Sequence, residues 1–450
     1  METLNKTYYK IIAYKWIICL ILIIFNISYI LVILNKKSIE SLIIMFILNC
    51  IYYSFAIKGI SGNNLIRNIF FILPTVFFLY AVSSPIIFVL NEYKPVVNYF
   101  YVDYNIVFET LKIYYFAYLI IIFGGIVFYR DMSVKNKVLI KVRNKRNICV
   151  NIFCYILILG TCEYFIIKYG TNIFNMSKTD ILYGGNINAQ LIHYINIVLV
   201  CFSYKILSNL IINKVNDKFS IFMISFYWIF SLTLGMRREL VLLILMLVFT
   251  YSIEKEKISK RIYIFITFIL IYLLFYAFIR QDYYSLNENL GRVLYVSLAE
   301  FILPQYISYY YFVASSSLKY GVTYLYAFTQ FIPRILYESK PINLGIQFIQ
   351  QSGVNVGFAF NPIAEGLINF GKYSSLIVGI LVLALMIYGR EVYRKNNLIY
   401  IILLASSVDF NRGQFSVYLI DIIIIYFILR GFGISKPSIT MQSNNKGENE

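Results

Sequence analysis

Arginines and carboxylates are the residues in this chain that could do chemistry, and they stand in unusual places. Arg237 and Arg238 sit side by side in an apolar stretch and are followed at once by Glu239. Asp409 and Arg412 share a second short polar turn, and Asp421 lies inside the apolar run after it. Glu163 and His193 lie near the ends of other apolar runs, and Arg280, Asp282, Arg292, Arg334, Lys340 and Glu365 fall between 280 and 372. A charge near the middle of a bilayer costs about 2.5–3.5 kcal/mol on insertion scales, so such residues are candidates for function. Arginine binds phosphate oxygens through a fixed bidentate fork. A positioned carboxylate can accept a proton from a hydroxyl. Any one of these side chains, His193 included, is also explained as a helix-end residue reaching along its stem to water. A gathering of them on one side of the membrane is not.

Other chemistries lack their residues. The chain has no G-x-x-x-x-G-K-[ST], H-E-x-x-H or G-x-S-x-G sequence, which argues against a P-loop, zinc-assisted hydrolysis and serine acyl transfer. Cys19, Cys50, Cys149, Cys154, Cys162 and Cys201 all lie in or beside apolar runs, with no C-x-x-C pair and no histidine near a cysteine pair. They read as small packing residues rather than a zinc site or disulfide framework. No metal or cofactor is expected.

The elements that must position these residues are membrane helices. Charged residues are 14% of the 450, against about 25% in a soluble domain, and the mean hydropathy is +0.71. The net charge of +18 would point to nucleic acid in a soluble chain. Here it fits basic residues flanking spans on the cytoplasmic side, in a chain whose Ile, Asn, Lys and Tyr bias is what AT-rich coding produces. No nucleic-acid partner is expected.

Apolar runs predict an all-α polytopic membrane protein of about 12 transmembrane helices (11–13), at 11–34, 41–57, 69–90, 112–129, 148–168, 191–212, 219–235, 239–253, 262–279, 373–389, 398–408 and 416–429. The first run is too long for a cleaved signal peptide. The pair 219–235 and 239–253 also reads as two half-helices around Gly235, and 398–408 is short. With the N-terminus inside, the inner segments hold 23 Lys and Arg and the short outer loops hold nine. Both termini are therefore expected in the cytoplasm. The chain divides into N-terminal helices (1–279), one large outer loop (280–372), C-terminal helices (373–430) and a polar tail (431–450) that reads as disordered. Within the loop, 293–315 is nearly apolar apart from Glu300 and Pro304, and is expected to lie in the interface or dip into the membrane. Were it a true span, the count would change and the sides of the segments after it would flip. On this topology the ionisable residues gather at the outer ends of spans.

Three stretches resemble the Wzy family, the polymerases of O-antigen and capsule repeat units. They are GMRRELVLLIL (235–245), GVTYLYAFTQFIPRILYESKPINLG (321–345) and FNPIAEGLINFGKYSSLIVG (360–379). Some members carry Arg, ten residues, then Gly in outer loops. This chain has that spacing at Arg280–Gly291 and Arg334–Gly345, but in one loop, whereas the family divides the two. The resemblance implies transfer of a growing glycan from undecaprenyl diphosphate onto a hydroxyl of a new lipid-linked repeat unit, at the outer face of the cytoplasmic membrane. The partners it implies are that lipid-linked oligosaccharide, the bilayer and a chain-length regulator. Arg238, Arg280 and Arg334 would meet the diphosphate, with Arg237, Arg292, Lys340 and Arg412 as substitutes. Glu365 would be the base, with Glu239 and Asp421 behind it. Asn361-Pro362 followed by Glu365 equally suits a helix N-terminus. An O-antigen ligase would share donor and fold type but use another acceptor. A flippase would be expected to hold its polar site near mid-membrane on broken helices.

Overall fold

The structure is a computed structural model that describes residues 13–27, 37–61, 65–95, 100–129, 141–142, 148–170, 189–234, 236–255, 290–314, 318–329, 336–337, 343–354 and 359–435. The expected span 262–279 and the tail 436–450 lie outside these residues, as do Arg280, Asp282, Arg334 and Lys340.

The described chain is helical. In order, the main helices are α1 (Ala13–Ile27), α2 (Ile39–Ser61), α3 (Ile69–Leu90), α4 (Tyr104–Phe128), α5 (Ile148–Tyr169), α6 (Ala189–Asn213), α7 (Lys218–Thr233), α8 (Arg238–Lys255), α9 (Leu290–Val313), α10 (Leu344–Ser352), α11 (Pro362–Phe370), α12 (Ser374–Lys395), α13 (Asn397–Ala405) and α14 (Phe415–Gly431). One two-residue antiparallel pair, Lys141–Val142 with Ile434–Ser435, ties the segment before α5 to the end of α14. Among the described residues, six helices are long and apolar enough to cross a membrane: Ile39–Ser61, Ile69–Leu90, Tyr104–Phe128, Ile148–Tyr169, Leu191–Asn213 and Pro362–Tyr393, the last interrupted at Gly371. The chain is a multi-pass membrane protein.

Helix faces follow from the residues. On α5 the buried positions are Cys154, Ile158, Cys162 and Phe165, a single helical stripe, while Ile152, Phe153, Ile156, Leu159, Ile166 and Ile167 are bare. An apolar helix with one buried stripe and an apolar outer face suits lipid on that face. Two of the cysteines thus do serve as packing residues. Helix α4 packs closely on α12. A Cβ placed on Gly124 would come within 2.5 Å of Leu383, and one on Gly379 within 2.9 Å of Ile120. Small residues let membrane helices approach this closely.

The stretch 293–315 is not laid across the bundle. It forms α9, which runs alongside α3 in the same direction. Tyr80 packs on Phe301 at 4.9 Å, the Gln305 amide donates to Ala81 O at 2.6 Å, and Tyr309 donates to Ser84 Oγ at 3.1 Å. Pro304, inside α9, leaves its carbonyl accepting from the Asn361 amide.

Helices α3 and α9 run parallel, and α4 runs against them, its Tyr129 end packed on Phe70. The expected result is that a reporter inserted after Leu318 reads the same side as one after Lys94 and the opposite side from one after Lys141, with Lys141 cytoplasmic. Equal signals after Leu318 and Lys141 would rule out the parallel pair.

Candidate functional site

Two helical turns meet halfway along α3. Tyr80 lies 11 residues into this 22-residue helix, about 16 Å from its start at 1.5 Å per residue. Around it lie the turn before α8, the turn after α13, and α9 at Glu300 and Phe301. Helix α13 has only nine residues, about 14 Å, against the ~20 residues a span needs. It starts beside α3, where the Tyr400 hydroxyl accepts from Ile69 N at 3.0 Å and donates to Arg67 O at 2.5 Å. It then ends at Ser406, inside the bundle. Helix α8 begins at the same depth with Arg238.

At this depth seven ionisable side chains and one histidine lie in two neighbouring clusters. Arg238 Nε donates to Asp409 Oδ1 at 2.5 Å, and its Nη2 is 3.9 Å from Asp421 Oδ2. Both Asp421 oxygens lie 3.3 Å from His193 Nε2, and His193 Nδ1 is 3.8 Å from Glu239 Oε1. Beside this chain, Arg237 Nη2 donates to Glu300 Oε1 at 3.1 Å, and Arg412 Nη2 pairs with Glu300 Oε2. Asp409 and Asp421 are each 8% exposed, so their charges depend on these partners.

Arg237, Arg238, Arg412, Glu300 and Asp409 line one cavity of about 240 Å³. Its other walls are apolar, including Val76, Leu79, Val241, Leu245 and Phe301. Tyr80 lines it too. The Tyr80 hydroxyl and Arg412 Nε are buried with no hydrogen-bond partner among the described residues, so two donors at this cavity are left over. Among the described residues no group of three His, Cys, Asp or Glu could hold a metal ion.

Glu365 stands apart from this cavity. It is 0% exposed. Its Oε1 accepts from Thr323 Oγ1 at 2.9 Å and its Oε2 from Phe415 N at 2.7 Å. Asn361 caps α11 by accepting from Ala364 N at 2.8 Å, and Pro362 follows in the first turn. Asn369 adds bonds to Thr323 Oγ1 and to Glu365 O. Glu365 is thus the knot joining α11, the 323 turn and the start of α14.

Of the candidates read from sequence, the structure brings together Arg237, Arg238, Glu239, Arg412, His193 and Asp421. It places Glu365 elsewhere, leaves Glu163 exposed on α5, and puts Arg292 in the first turn of α9. The gathering lies halfway along α3 rather than at the end of the bundle. Counting from apolar runs assumes each helix begins and ends at a surface, but α8 begins and α13 ends inside the bundle. Glu300 and Tyr80 were not anticipated as site residues. Glu300 had a signal, a carboxylate inside an apolar run. Tyr80, one of 43 tyrosines, had none. No family model matches this chain, and no curated protein and no solved structure matches it.

Proposed function

We propose that this chain is an oligosaccharide repeat-unit polymerase of the Wzy type, in the cytoplasmic membrane with both termini inside. It would extend a polyprenyl-diphosphate-linked glycan at the outer face. The observation that carries the reading is the cavity where three guanidinium groups converge among apolar walls. A polyprenyl diphosphate joins a polyanion to an isoprenoid tail, and this lining offers something to each. Tyr80 and Arg412 Nε add donors that phosphate oxygens can use.

In the reaction the C1–O bond to diphosphate breaks, and the diphosphate leaves with the electron pair. Its developing charge is met by Arg237, Arg238 and Arg412. The acceptor hydroxyl forms the new C1–O bond and gives its proton to a carboxylate of the cavity. Glu300 suits this best, since its side chain is 31% exposed against 12% for Asp409. Glu365, the base implied by the family resemblance, has both oxygens engaged away from the cavity. Arg280, Arg292, Arg334 and Lys340 remain candidates for holding glycan or diphosphate.

The test is elongation by the purified protein with lipid-linked repeat unit as the only substrate. The glycan is expected to lengthen without ATP or nucleotide sugar, because the diphosphate linkage carries the driving force. A folded protein that produces no elongation would sink the assignment.

A second reading, a flippase, is favoured by one observation: short helices meet at a polar site halfway through the bundle, as in transporters. A flippase would move the lipid-linked unit across a sealed vesicle and leave its length unchanged. A ligase would consume the same donor only when given a different acceptor.

A further inference from the structure

We infer that Gln305 is a positioning residue for the central cavity. It holds α9 in register with α3, so that Glu300 meets Arg237 and Arg412 beside Tyr80. The inference deepens the polymerase reading of that cavity and rests on it.

The cavity draws Val76, Leu79 and Tyr80 from α3, and these lie between two prolines inside the helix, Pro74 and Pro85. A proline has no N–H to give the carbonyl four residues before it, so each interrupts the helical ladder. The carbonyls concerned are Phe70 O and Ala81 O. Within a bilayer such a group must find its donor in the protein. Each has one from another helix. Tyr53 of α2 donates to Phe70 O, and Gln305 of α9 donates to Ala81 O at 2.6 Å. The middle of α3 is thus braced at both ends by different neighbours.

The Gln305 brace does more than fill one hydrogen bond. Gln305 is buried, and its Oε1 accepts from Ser84 N at 3.2 Å while its Nε2 serves Ala81 O. One planar amide therefore spans the break and is fixed at two backbone points. Ala81 adjoins Tyr80, and Ser84 is one turn beyond it. On its own helix Gln305 lies one turn beyond Phe301, which packs on Tyr80, and next to that is Glu300, which pairs with Arg237 and Arg412. Apolar ring packing is non-directional and tolerates sliding. The bond from Tyr309 ends on the Ser84 hydroxyl, which rotates. The amide is the contact that sets how far along α3 Glu300 stands. A slip of one residue moves a group ~1.5 Å along a helix axis, and a misplacement of about 1 Å can cost about 100-fold in rate. Tyr53 has no such reach, since among the described residues none from α2 lines the cavity.

The test is elongation kinetics and melting temperature of purified Gln305→Met, Pro85→Ala, the two combined, and Tyr53→Phe, with lipid-linked repeat unit as substrate. Gln305→Met should lower turnover about 10- to 100-fold. Its KM for the donor should stay within about threefold of wild type, because the arginines stand on other elements and the loss falls on the step that uses Glu300. It should also melt earlier, since Ala81 O loses its donor. Alanine at position 85 supplies an N–H that can satisfy Ala81 O from within α3. In the double variant the melting temperature should therefore recover while turnover stays low. A glutamine that only filled a hydrogen bond would let both recover, so turnover within about threefold of wild type in the double variant would overturn the proposal. With no orphaned carbonyl, that variant also keeps the proposal falsifiable if Gln305→Met fails to fold. Pro85→Ala alone should keep its turnover, because Ala81 O has a second lone pair for Gln305. A loss there equal to that of Gln305→Met would assign the effect to the proline break and overturn the role of Gln305. Tyr53→Phe should melt earlier with turnover per folded molecule unchanged. An equal loss in it would make the effect one of general stability and would overturn the proposal too. These outcomes leave the polymerase reading standing, whereas no elongation by folded wild type would overturn both.

Discussion

Replacing Arg238 by alanine is expected to lower glycan elongation roughly 100- to 1000-fold, the range seen when one donor to a developing oxyanion is removed. It should also weaken the fold. Asp409 and Asp421 are nearly buried, and removing one partner of a buried ion pair costs about 3–5 kcal/mol. The two losses can be separated. In the pair Arg238→Met with Asp409→Asn, the close ion pair is replaced by neutral groups, which is often tolerated. Melting temperature should largely recover while elongation stays lost. Arg238→Lys keeps the charge but not the fork that reaches Asp409 and ligand together, so it should recover little activity. If the Met/Asn pair elongates glycan within about threefold of wild type, Arg238 is not in the site.

The second large effect is expected at Glu365, and it is chiefly one of stability. Alanine there leaves the Thr323 hydroxyl and the Phe415 N–H buried without acceptors, each worth about 1–3 kcal/mol, and α11 loses its tie to α14. Glutamine is milder. It supplies one acceptor oxygen but turns an NH₂ toward a position that needs an acceptor, costing roughly 1–3 kcal/mol. Glu365→Gln should therefore melt earlier yet elongate glycan at a near wild-type rate per folded molecule. Abolished elongation with unchanged melting temperature would reverse this reading and return Glu365 to the role of base.

How much of this was legible in the sequence can be judged residue by residue. Asn361-Pro362 announced the start of α11, because capping and Pro at the first turn are local rules. The apolar runs announced the long helices for the same reason. Arg237, Arg238 and Glu239 announced a polar helix start. The depth of that start was not legible, since it depends on α8 meeting α3 at Tyr80 rather than at its end. Nor was the carboxylate that holds two arginines. Glu300 is 63 residues from Arg237 in the chain and farther still from Arg412. Only the alignment of α9 along α3 brings them together. The direction of α9 hinged on whether an apolar stretch with a proline lies flat or stands upright, and composition is the same for both.

The nine-residue length of α13 also bears on how the protein is made. A segment that short cannot lodge in a bilayer as a span by itself, so it must enter as one arm of a hairpin with α14. Its docking point at Ile69 and Arg67 belongs to a helix synthesised more than 300 residues earlier. The cavity's far wall, with Asp409 and Arg412, is therefore completed only after residue 412 has left the ribosome. Until then Arg237 and Arg238 face the interior without that wall, and the nascent protein can be inserted and helical while still lacking its charge-balanced centre. Quality control that senses exposed intramembrane charge would have this late hairpin as its checkpoint.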